Sequence, residues 1–479
     1  MIRGRRNCRG GLILIILAHL GWAGFANGTE YVWTGAGSTT NWFEAENWMN
    51  NEAPPVASPL TRISLPGGTP SPYVSEATTI HQLTLTEPSG THVLRGATIR
   101  FEGEEPGIWN AGSANQFILC QLETTGMVSV VSRSAIHLSG AVSGEGGLGL
   151  TANEFASIFL NPSSDNLYTG PTEVSGLVTV NTGSGSIAIP GDLVFHGGAV
   201  YLYEHSISSN SIVHFMDAGW LNVLGENRVG SFQGKGLLAV GSDLRIVGTN
   251  EIDFAGDVIV GARLIKETPS IMRLSGSVLG YGRLAGNLEL SGRVHRDAAY
   301  PGTLHIEGDC ALAEGLNLDF DLGMFVTGPL LGFEAGALHV TSPTGVVINV
   351  YDTGLFDSGS YVLMDWSGAV ESTVELGDFQ LGEVVDGYTY DLRVEDARLI
   401  LDVIGPSRRH VLQSMEWNGS AMEIRLDGDM PEGGFYLEGN TTLLDPEGWE
   451  SLLFFDFEEG VQVPEPYSDY RYFRVIYFR

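Results

Sequence analysis

Two acidic residues in one short segment have the types and spacing that carbohydrate chemistry could use. Asp319 and Asp321 stand two positions apart in LDFDL, so in a β-strand both side chains would point to the same face. A glycoside hydrolase needs two carboxylates that flank the scissile bond, and a groove along a sheet could hold such a pair. The simpler interpretation is that both residues lie on the solvent-facing side of a strand.

Other residues that could bind metal ions are spaced unfavourably for a site. GEGGLGLTANE at 144–154 has the glycines of a calcium-binding nonapeptide but not its aspartate, and DGDMPEGG at 427–434 is typical of a hairpin loop. His196, His205 and His214 are nine positions apart. Because side chains in a β-strand alternate between its two faces, an odd spacing would put successive histidines on opposite faces. The sequence also contains no phosphate loop or dinucleotide fingerprint. We therefore expect no enzyme activity, no catalytic or metal-ligating residue and no cofactor, with calcium as the one metal left open.

Three of the nine tryptophans, Trp33, Trp42 and Trp48, lie close together near the N-terminus. Their rings could form a platform on which sugars stack. Alternatively, they could cap the open end of a repeat domain, where an apolar core would otherwise meet water. The two interpretations predict opposite exposure of the indole rings.

Short β-strands are the elements that must position these residues. The chain has 64 glycines in 479 residues and many runs of four to eight residues with period-two alternation, such as HQLTLT, LVTVN, LRIVG and LNLDFDL. Long stretches with helical periodicity are missing, which together predicts an all-β protein. GDLVFHG at 191–197, GNLELSG at 286–292 and GTLHIEG at 302–308 share one pattern, as expected of a chain that stacks similar units.

Two all-β architectures fit this pattern. A right-handed parallel β-helix would use rungs of about 20 residues, at the short end of known repeats. A row of β-sandwich modules would show hairpins at regular spacing and a buried aromatic core. The strand interiors here are mainly Leu, Val and Ile, which favours the β-helix, or solenoid.

The composition divides the chain into four parts. Residues 1–26 have a basic, an apolar and a small-residue region, as a secretory signal peptide does. Residues 27–404 form the predicted β-helical domain, with a Trp-rich cap at about 31–55. Residues 405–410 resemble a linker, and the aromatic segment 411–479 predicts a small antiparallel β-sandwich-like module.

The charge of the chain limits its possible partners, and its cysteine content limits the disulfides it can form. Four of the 25 basic and none of the 57 acidic residues precede residue 27, so the mature chain carries a formal net charge of −36. Such a chain repels nucleic acid and anionic lipid, and no later segment is long and apolar enough for a transmembrane helix. Cys120 and Cys310 are too few and too far apart in sequence for a disulfide framework.

Residues 163–199 resemble the autotransporter-associated β-strand repeat of exported bacterial surface proteins. The residues that carry the likeness are Asn166, Tyr168, Thr169, Gly170, Pro190, Leu193, Phe195, Gly198 and Ala199. Residues 300–322 are similar to the last rungs of these proteins, and residues 352–368 are similar to the segment after those rungs. Family members that secrete themselves carry a large C-terminal membrane barrel, for which the residues after 404 are too few. The resemblance therefore implies a passenger-type repeat protein without that barrel.

These observations predict a non-enzymatic protein that is exported to the extracellular space or outer cell surface. Its roles would be adhesion, matrix or envelope structure, and its expected partners are extracellular polysaccharide or cell-envelope components. Two alternatives stay open, namely a polysaccharide lyase or hydrolase built on a β-helix, and a glycan-binding protein. The sequence does not indicate an oligomeric state, and a solenoid fold alone does not decide among these functions.

Overall fold

The structure is a computed structural model. It describes residues 28–86, 90–153, 155–182, 185–296, 302–322, 328–351 and 358–405, and beyond them the backbone of six strands between 411 and 477. The predicted signal peptide lies outside the described residues, as does the predicted linker except for Gly405.

A parallel β-helix forms most of the described chain, which confirms the predicted fold class. Successive strands visit three sheets in turn, and each strand pairs in parallel with the strand of the next rung. Partners in neighbouring rungs are about twenty positions apart, as in the pairing of Val128 with Leu148. Short alternating strands with glycine-containing turns favour this arrangement, because each unit buries its apolar face against its neighbours.

Sixteen strands make up the first sheet and fifteen the second. The first sheet contains Glu30–Val32, Arg62–Leu65, Gln82–Leu85, Gly107–Asn110, Val128–Ser132, Leu148–Ala152, Thr172–Val174, Leu193–Phe195, Ile212–Phe215, Ser231–Gly234, Ile252–Phe254, Met272–Leu274, Leu288–Leu290, Cys310–Leu312, Ala337–Val340 and Glu371–Ser372. The second sheet contains Tyr73–Val74, Val93–Gly96, Gln116–Ile118, Ile136–Leu138, Ile158–Leu160, Leu177–Val180, Ala199–Leu202, Trp220–Val223, Leu237–Val240, Asp257–Val260, Ser277–Gly280, Arg293–His295, Asn317–Asp321, Val346–Tyr351 and Phe379–Leu381.

The third sheet is divided into two parts. Its first part contains Thr78–Ile80, Ile99–Phe101, Leu122–Thr124, Val142–Gly144 and Leu167–Tyr168. Its second part contains Asn227–Val229, Leu244–Ile246, Arg263–Lys266, Arg283–Ala285, Leu304–Glu307, Leu331–Ala335, Gly359–Asp365, Thr389–Glu395 and Arg398–Ile404. Between the two parts, an isolated parallel bridge joins Ile189 to Ile207.

The last strands of the third sheet change direction. Gly359–Asp365 pairs antiparallel with Arg398–Ile404, which in turn pairs antiparallel with Thr389–Glu395. In the hairpin turn, Asp396 and Ala397 have φ values of 49° and 56°. Positive φ at both residues is typical of the two-residue turns whose twist matches that of the strands. The β-helix therefore ends in an antiparallel hairpin, a feature that the alternation of LILDVI did not predict.

One continuous cluster of buried apolar side chains runs from Trp33 to Val403. Burial alternates along the strands, so that in Val128–Ser132 every second residue is buried. The core side chains are mostly Leu, Val and Ile, as the strand patterns predicted. Because each rung covers the next, the core has no interior break within the described residues.

Two three-stranded antiparallel sheets form the described part of the C-terminal module, as predicted. Val411–Trp417, Ala421–Asp427 and Val461–Pro464 make one sheet. Gly434–Asn440, Glu450–Asp456 and Tyr472–Tyr477 make the other.

Helical structure in the described chain is limited to three short 3₁₀ turns, Ala45–Asn47, Met49–Asn51 and Leu376–Asp378. Across the described ranges, none of these is long or apolar enough to cross a membrane as a helix.

Candidate functional site

The three N-terminal tryptophans are buried and pack against one another. Trp33 and Trp42 are 0% exposed and Trp48 is 1% exposed. Both Trp33 and Trp42 meet Trp48 edge to face, with ring centroids 5.1 Å apart. Trp33 Nε1 donates a hydrogen bond to Pro70 O at 2.7 Å, and Trp48 Nε1 donates to Trp42 O at 2.6 Å. A sugar ring could reach these indole faces only if the cluster opened.

The tryptophans belong to an irregular first rung. Glu30–Val32 pairs with Arg62–Leu65, Asn41 bridges to Tyr73, and Ala57 bridges to Thr79. These three contacts place residues 30–57 over all three sheets at one end of the β-helix. The position and the burial together favour the cap interpretation of the tryptophans over the glycan platform.

Glu44 organises the loop of this cap. Its carboxylate accepts hydrogen bonds from Ser38 N and Ser38 Oγ at 2.8 Å each and from Thr39 N at 2.9 Å, and it also accepts one from the Thr39 hydroxyl. The hydrogen bond from Thr39 Oγ1 is the largest influence that holds the pKa of Glu44 at about 2, below its ordinary value of 4.5. The charged form of Glu44 therefore holds the loop that carries Trp42.

Asn166, the first residue of the repeat motif, connects three rungs inside the β-helix. Its side chain is 2% exposed, its Oδ1 accepts a hydrogen bond from Val142 N at 2.7 Å, and its Nδ2 donates to Ala188 O at 2.7 Å. These bonds satisfy backbone groups that have no strand partner where the third sheet is interrupted. Asn166 therefore serves the fold.

The other motif residues lie in turns or in the strand ends beside them. Tyr168 is buried, and its hydroxyl lies 2.5 Å from Thr172 Oγ1. Thr169 Oγ1 donates to Glu145 O at 3.2 Å. Gly170 and Gly198 face backbone of the preceding rung, where a Cβ atom would lie 2.7 Å and 2.3 Å from the nearest atoms. Pro190 directly follows the bridge residue Ile189, so the motif marks a structural corner.

Asp319 lies on the outer face of the second sheet and is nevertheless buried, with 4% of its surface exposed. Arg293 donates a hydrogen bond to its Oδ2, and Asn349 Nδ2 donates to its Oδ1 at 2.7 Å. Both oxygens are thus engaged. Such a carboxylate is suited to fixing its neighbours, and in this geometry it is poorly placed to take a proton from a substrate.

Asp321 aligns with Tyr351 on the next rung, two positions after Asp319 aligns with Asn349. The two aspartates therefore share the outer face of their strand, as their spacing predicted. Tyr351 donates a hydrogen bond to Glu383 Oε2 at 3.3 Å. Burial is the largest influence that raises the pKa of Tyr351, and the charges of Asp319 and Glu383 act in the same direction. We call Arg293, Asp319, Asn349, Tyr351 and Glu383 the polar cluster of the second sheet.

A cavity of about 240 Å³ lies beside Asp321. Its lining includes Arg296, Phe320 and Tyr361. Arg296 donates from Nη2 to Gly328 O at 3.1 Å and to Pro329 O at 2.6 Å, and burial lowers the pKa of its guanidinium. Backbone carbonyls therefore hold this arginine in place at the cavity.

The three histidines noted in the sequence are not brought together. His196 Nε2 lies 3.2 Å from Glu173, and His214 Nε2 lies 3.6 Å from Asp192. His205 sits in a turn with φ of 53°. Among the described residues, no group of three or more His, Cys, Asp or Glu side chains is arranged to hold a metal ion.

The two cysteines of the described chain are buried in separate rungs. Cys120 and Cys310 are each 1% exposed and are not bonded to each other. Burial raises the pKa of both thiols to about 12. Both therefore act as small apolar core residues, with little thiolate for chemistry.

Arginine–carboxylate pairs follow the outer face of the second part of the third sheet. The arginines are Arg228, Arg245, Arg263 and Arg283, and their partners include Asp243, Glu267 and Glu307. Arg228 and Arg245 both bind Glu267, at 2.9 and 3.0 Å. Sequence patterns did not predict this row, because alternation indicates the outer positions of a strand but not which rungs become neighbours.

The polar cluster escaped prediction for the same reason. The sequence singled out Asp319 and Asp321, but Arg293, Asn349 and Glu383 are between 26 and 64 positions away from Asp319. The one available signal was that strands with a similar pattern, bounded by glycines, precede and follow Asp319 in the sequence. Equivalent positions of such repeats stack, so these strands could have been aligned with one another.

Comparison of the chain with protein-family models, with curated proteins and with solved structures found no match.

Proposed function

We propose that this chain is an exported, non-enzymatic repeat protein of the cell surface, which serves adhesion, matrix or envelope structure. The observation that carries the proposal is the long β-helix, whose core is continuous from Trp33 to Val403. Sixteen strands at roughly 4.8 Å spacing give a first sheet about 70 Å long. Such a rod presents extended lateral faces that suit contact with a polymer or a second surface.

The described side chains agree with a structural role. The repeat-motif residues hold turns, the tryptophans close one end, and Asp319 is engaged by Arg293 and Asn349. The signal-like composition of residues 1–26 and the resemblance to passenger-type surface proteins support export. Envelope components and extracellular polysaccharide are the partners that this proposal expects.

Surface labelling of the producing cells tests the location. An antibody against the purified protein should label intact cells, and the label should be lost when protease is added outside. Labelling that needs permeabilised cells would contradict the proposal.

A second candidate function, cleavage of a polysaccharide, is favoured by the polar cluster of the second sheet. Arg293 could contact an acidic sugar, while Glu383 and Tyr351 lie 3.3 Å apart and could exchange a proton. Asp319 would then position Arg293 rather than react.

One assay separates the two functions. The purified protein is mixed with neutral and acidic polysaccharides, with and without calcium, and both co-sedimentation and new chain ends are measured. The structural role predicts at most binding without new ends. New chain ends that disappear in Glu383→Gln, but persist in the control Glu371→Gln, would establish cleavage instead.

A further inference from the structure

The outer face of the second sheet carries a long strip with few charged side chains. Its central row has one residue from each of ten successive rungs, aligned by the strand register. The row consists of Val93, Phe117, His137, Phe159, Thr179, Tyr201, Asn222, Ala239, Ile259 and Leu279. Ten strands at roughly 4.8 Å extend about 45 Å. Burial lowers the pKa of His137, so this residue is neutral at pH 7 as well.

Uncharged residues, many of them apolar, flank the central row on both sides, apart from Arg95 in the first rung and Asp257 in the ninth. Leu177, Ala199, Trp220 and Leu237 form part of one neighbouring row. The other neighbouring row includes Leu119, Tyr203, Leu224 and Tyr281, which are between 38% and 50% exposed. An apolar surface of this extent on a soluble protein marks an interaction site.

The charge distribution limits what can cover the strip. The whole sequence has a formal net charge of −32, and the outer faces of the first and third sheets carry ion pairs such as Arg273–Glu251 and Arg263–Asp243. Among the described residues, one ion pair lies on the outer face of the second sheet. It is Arg293–Asp319, and it lies beyond the end of the strip. Two copies of so acidic a chain would repel each other on most approaches, and least where the strips face each other.

The aromatic rings in the N-terminal half of the central row present edges rather than faces. Phe117, His137 and Phe159 stack on one another with centroids 4.4 Å apart and interplanar angles of 10° and 5°. Their faces are covered by their neighbours along the rod. A sugar needs an open ring face for stacking, whereas ring edges and aliphatic side chains pack well against another protein surface.

The strip is complementary to itself when two rods lie antiparallel. A two-fold axis between the rungs of Thr179 and Tyr201 sets each rung of the N-terminal half against a rung of the partner's C-terminal half. The bulky Phe117, His137 and Phe159 then oppose the rungs of Ile259, Ala239 and Asn222. In the neighbouring row, Leu119 opposes the rung of Gly261. Large residues thus meet small ones, as an isologous interface requires.

The size of the strip suits a stable dimer. Three rows of side chains make a width of roughly 18 Å, so each copy would contribute on the order of 800 Å². Two copies would bury about 1,600 Å², the usual area of a specific protein interface.

We propose that the chain forms an antiparallel dimer in which two of these strips pack face to face. The packing resembles that of two sheets in a β-sandwich, with the aromatic half of each strip against the aliphatic half of the other. The inference is independent of the proposed function, since it depends on the surface of the second sheet alone.

Sedimentation velocity on the full chain tests the proposal. We expect a species with twice the mass of one chain, which dissociates on dilution. Thr179→Glu places two carboxylates one rung apart, on either side of the two-fold axis, and should weaken the dimer at least about tenfold, because like charges across an interface repel. The matched control is Thr151→Glu, a half-buried threonine on the outer face of the first sheet, which should leave the dimer unchanged.

Cross-linking tests the orientation even if the glutamate variants fold poorly. A short bismaleimide should join two copies of Thr179→Cys, and should join Phe117→Cys to Ile259→Cys when these variants are mixed. The native Cys120 and Cys310 should stay unreactive, since each is 1% exposed.

Three outcomes would overturn the proposal. These are a chain that stays monomeric at every concentration, a dimer that Thr151→Glu disrupts as strongly as Thr179→Glu, and Phe117→Cys cross-linking to itself but not to Ile259→Cys.

Discussion

At the scale of single residues, buried polar side chains connect one rung to the next. Asn166 receives a hydrogen bond from one neighbouring rung and donates one to the other. Asn227 also connects two rungs: it accepts a hydrogen bond from Ser206 N at 2.9 Å and donates one to Tyr203 O at 2.6 Å, both on the preceding rung. A solenoid corner leaves backbone groups without strand partners, and a buried amide can satisfy a donor and an acceptor at once.

Replacing Asn166 by alanine should therefore destabilise the protein. The change leaves Val142 N and Ala188 O buried without these partners, and each such loss costs about 1–3 kcal/mol. We expect the free energy of unfolding to fall by roughly 2–4 kcal/mol in urea titrations. The control Asn210→Ala, at an exposed position, should change it by less than about 0.5 kcal/mol. Equal effects of the two changes would show that the amide does not connect the rungs.

Glu44 gives the N-terminal cap a pH dependence. Its folded pKa of about 2 is below the ordinary value of 4.5, so the folded state favours the charged form. Glu44 therefore stabilises the fold fully above pH 4.5, and this contribution is lost as the pH falls from 4.5 towards 2. Unfolding curves of the parent and Glu44→Gln should differ at neutral pH and converge near pH 2. The control Glu52→Gln should follow the parent, and a constant gap between parent and Glu44→Gln would refute this role.

At the scale of elements, close stacking of rungs explains the many glycines at corners. Gly198 has φ of +77°, and a Cβ atom there would lie 2.3 Å from Gly176 O. The corner thus needs a residue that adopts this conformation and leaves the neighbouring backbone undisturbed.

Gly198→Ala should accordingly cost more than about 1 kcal/mol of stability, because it adds a clash to backbone strain. Gly126 is the matched control, since a Cβ atom there has no neighbour within 4 Å and its φ is not in the left-handed region. Gly126→Ala should be neutral or slightly stabilising in the same thermal unfolding measurement. A smaller loss for Gly198→Ala than for Gly126→Ala would contradict the stacking argument.

At the scale of the whole molecule, each rung depends on its neighbours and each end of the core needs cover. Trp33, Trp42 and Trp48 provide it at the N-terminal end, and the antiparallel hairpin of Thr389–Glu395 and Arg398–Ile404 ends the third sheet. In such arrays stability is close to a sum of local and nearest-neighbour contributions.

Trp48→Ala should therefore loosen one end of the rod selectively. Removing this buried indole costs about 3–5 kcal/mol, and amide hydrogen exchange should accelerate in Arg62–Leu65 and Gln82–Leu85. Exchange in Met272–Leu274 and Leu288–Leu290 should stay as in the parent, because many rungs intervene. The exposed Phe155, replaced by alanine, serves as the control. Uniform acceleration along the chain would mean that the β-helix unfolds as one unit.

The sequence by itself determined the β-helical class, the rung length and the small antiparallel C-terminal sheets. The reason is local: period-two alternation and glycine-bounded turns are properties of neighbouring residues. The sequence also indicated the residues of the repeat motif, but left Trp33, Trp42 and Trp48 between a cap and a glycan platform, since identity and spacing do not reveal burial.

Only the tertiary structure decided which rungs are neighbours. Register aligned Asp319 with Asn349 and placed Arg293 beside it, and it aligned ten uncharged residues from Val93 to Leu279 into one strip. It also turned the last strands antiparallel. These features depend on variable turn lengths between strands, and a shift of one residue exchanges the inner and outer faces of a strand.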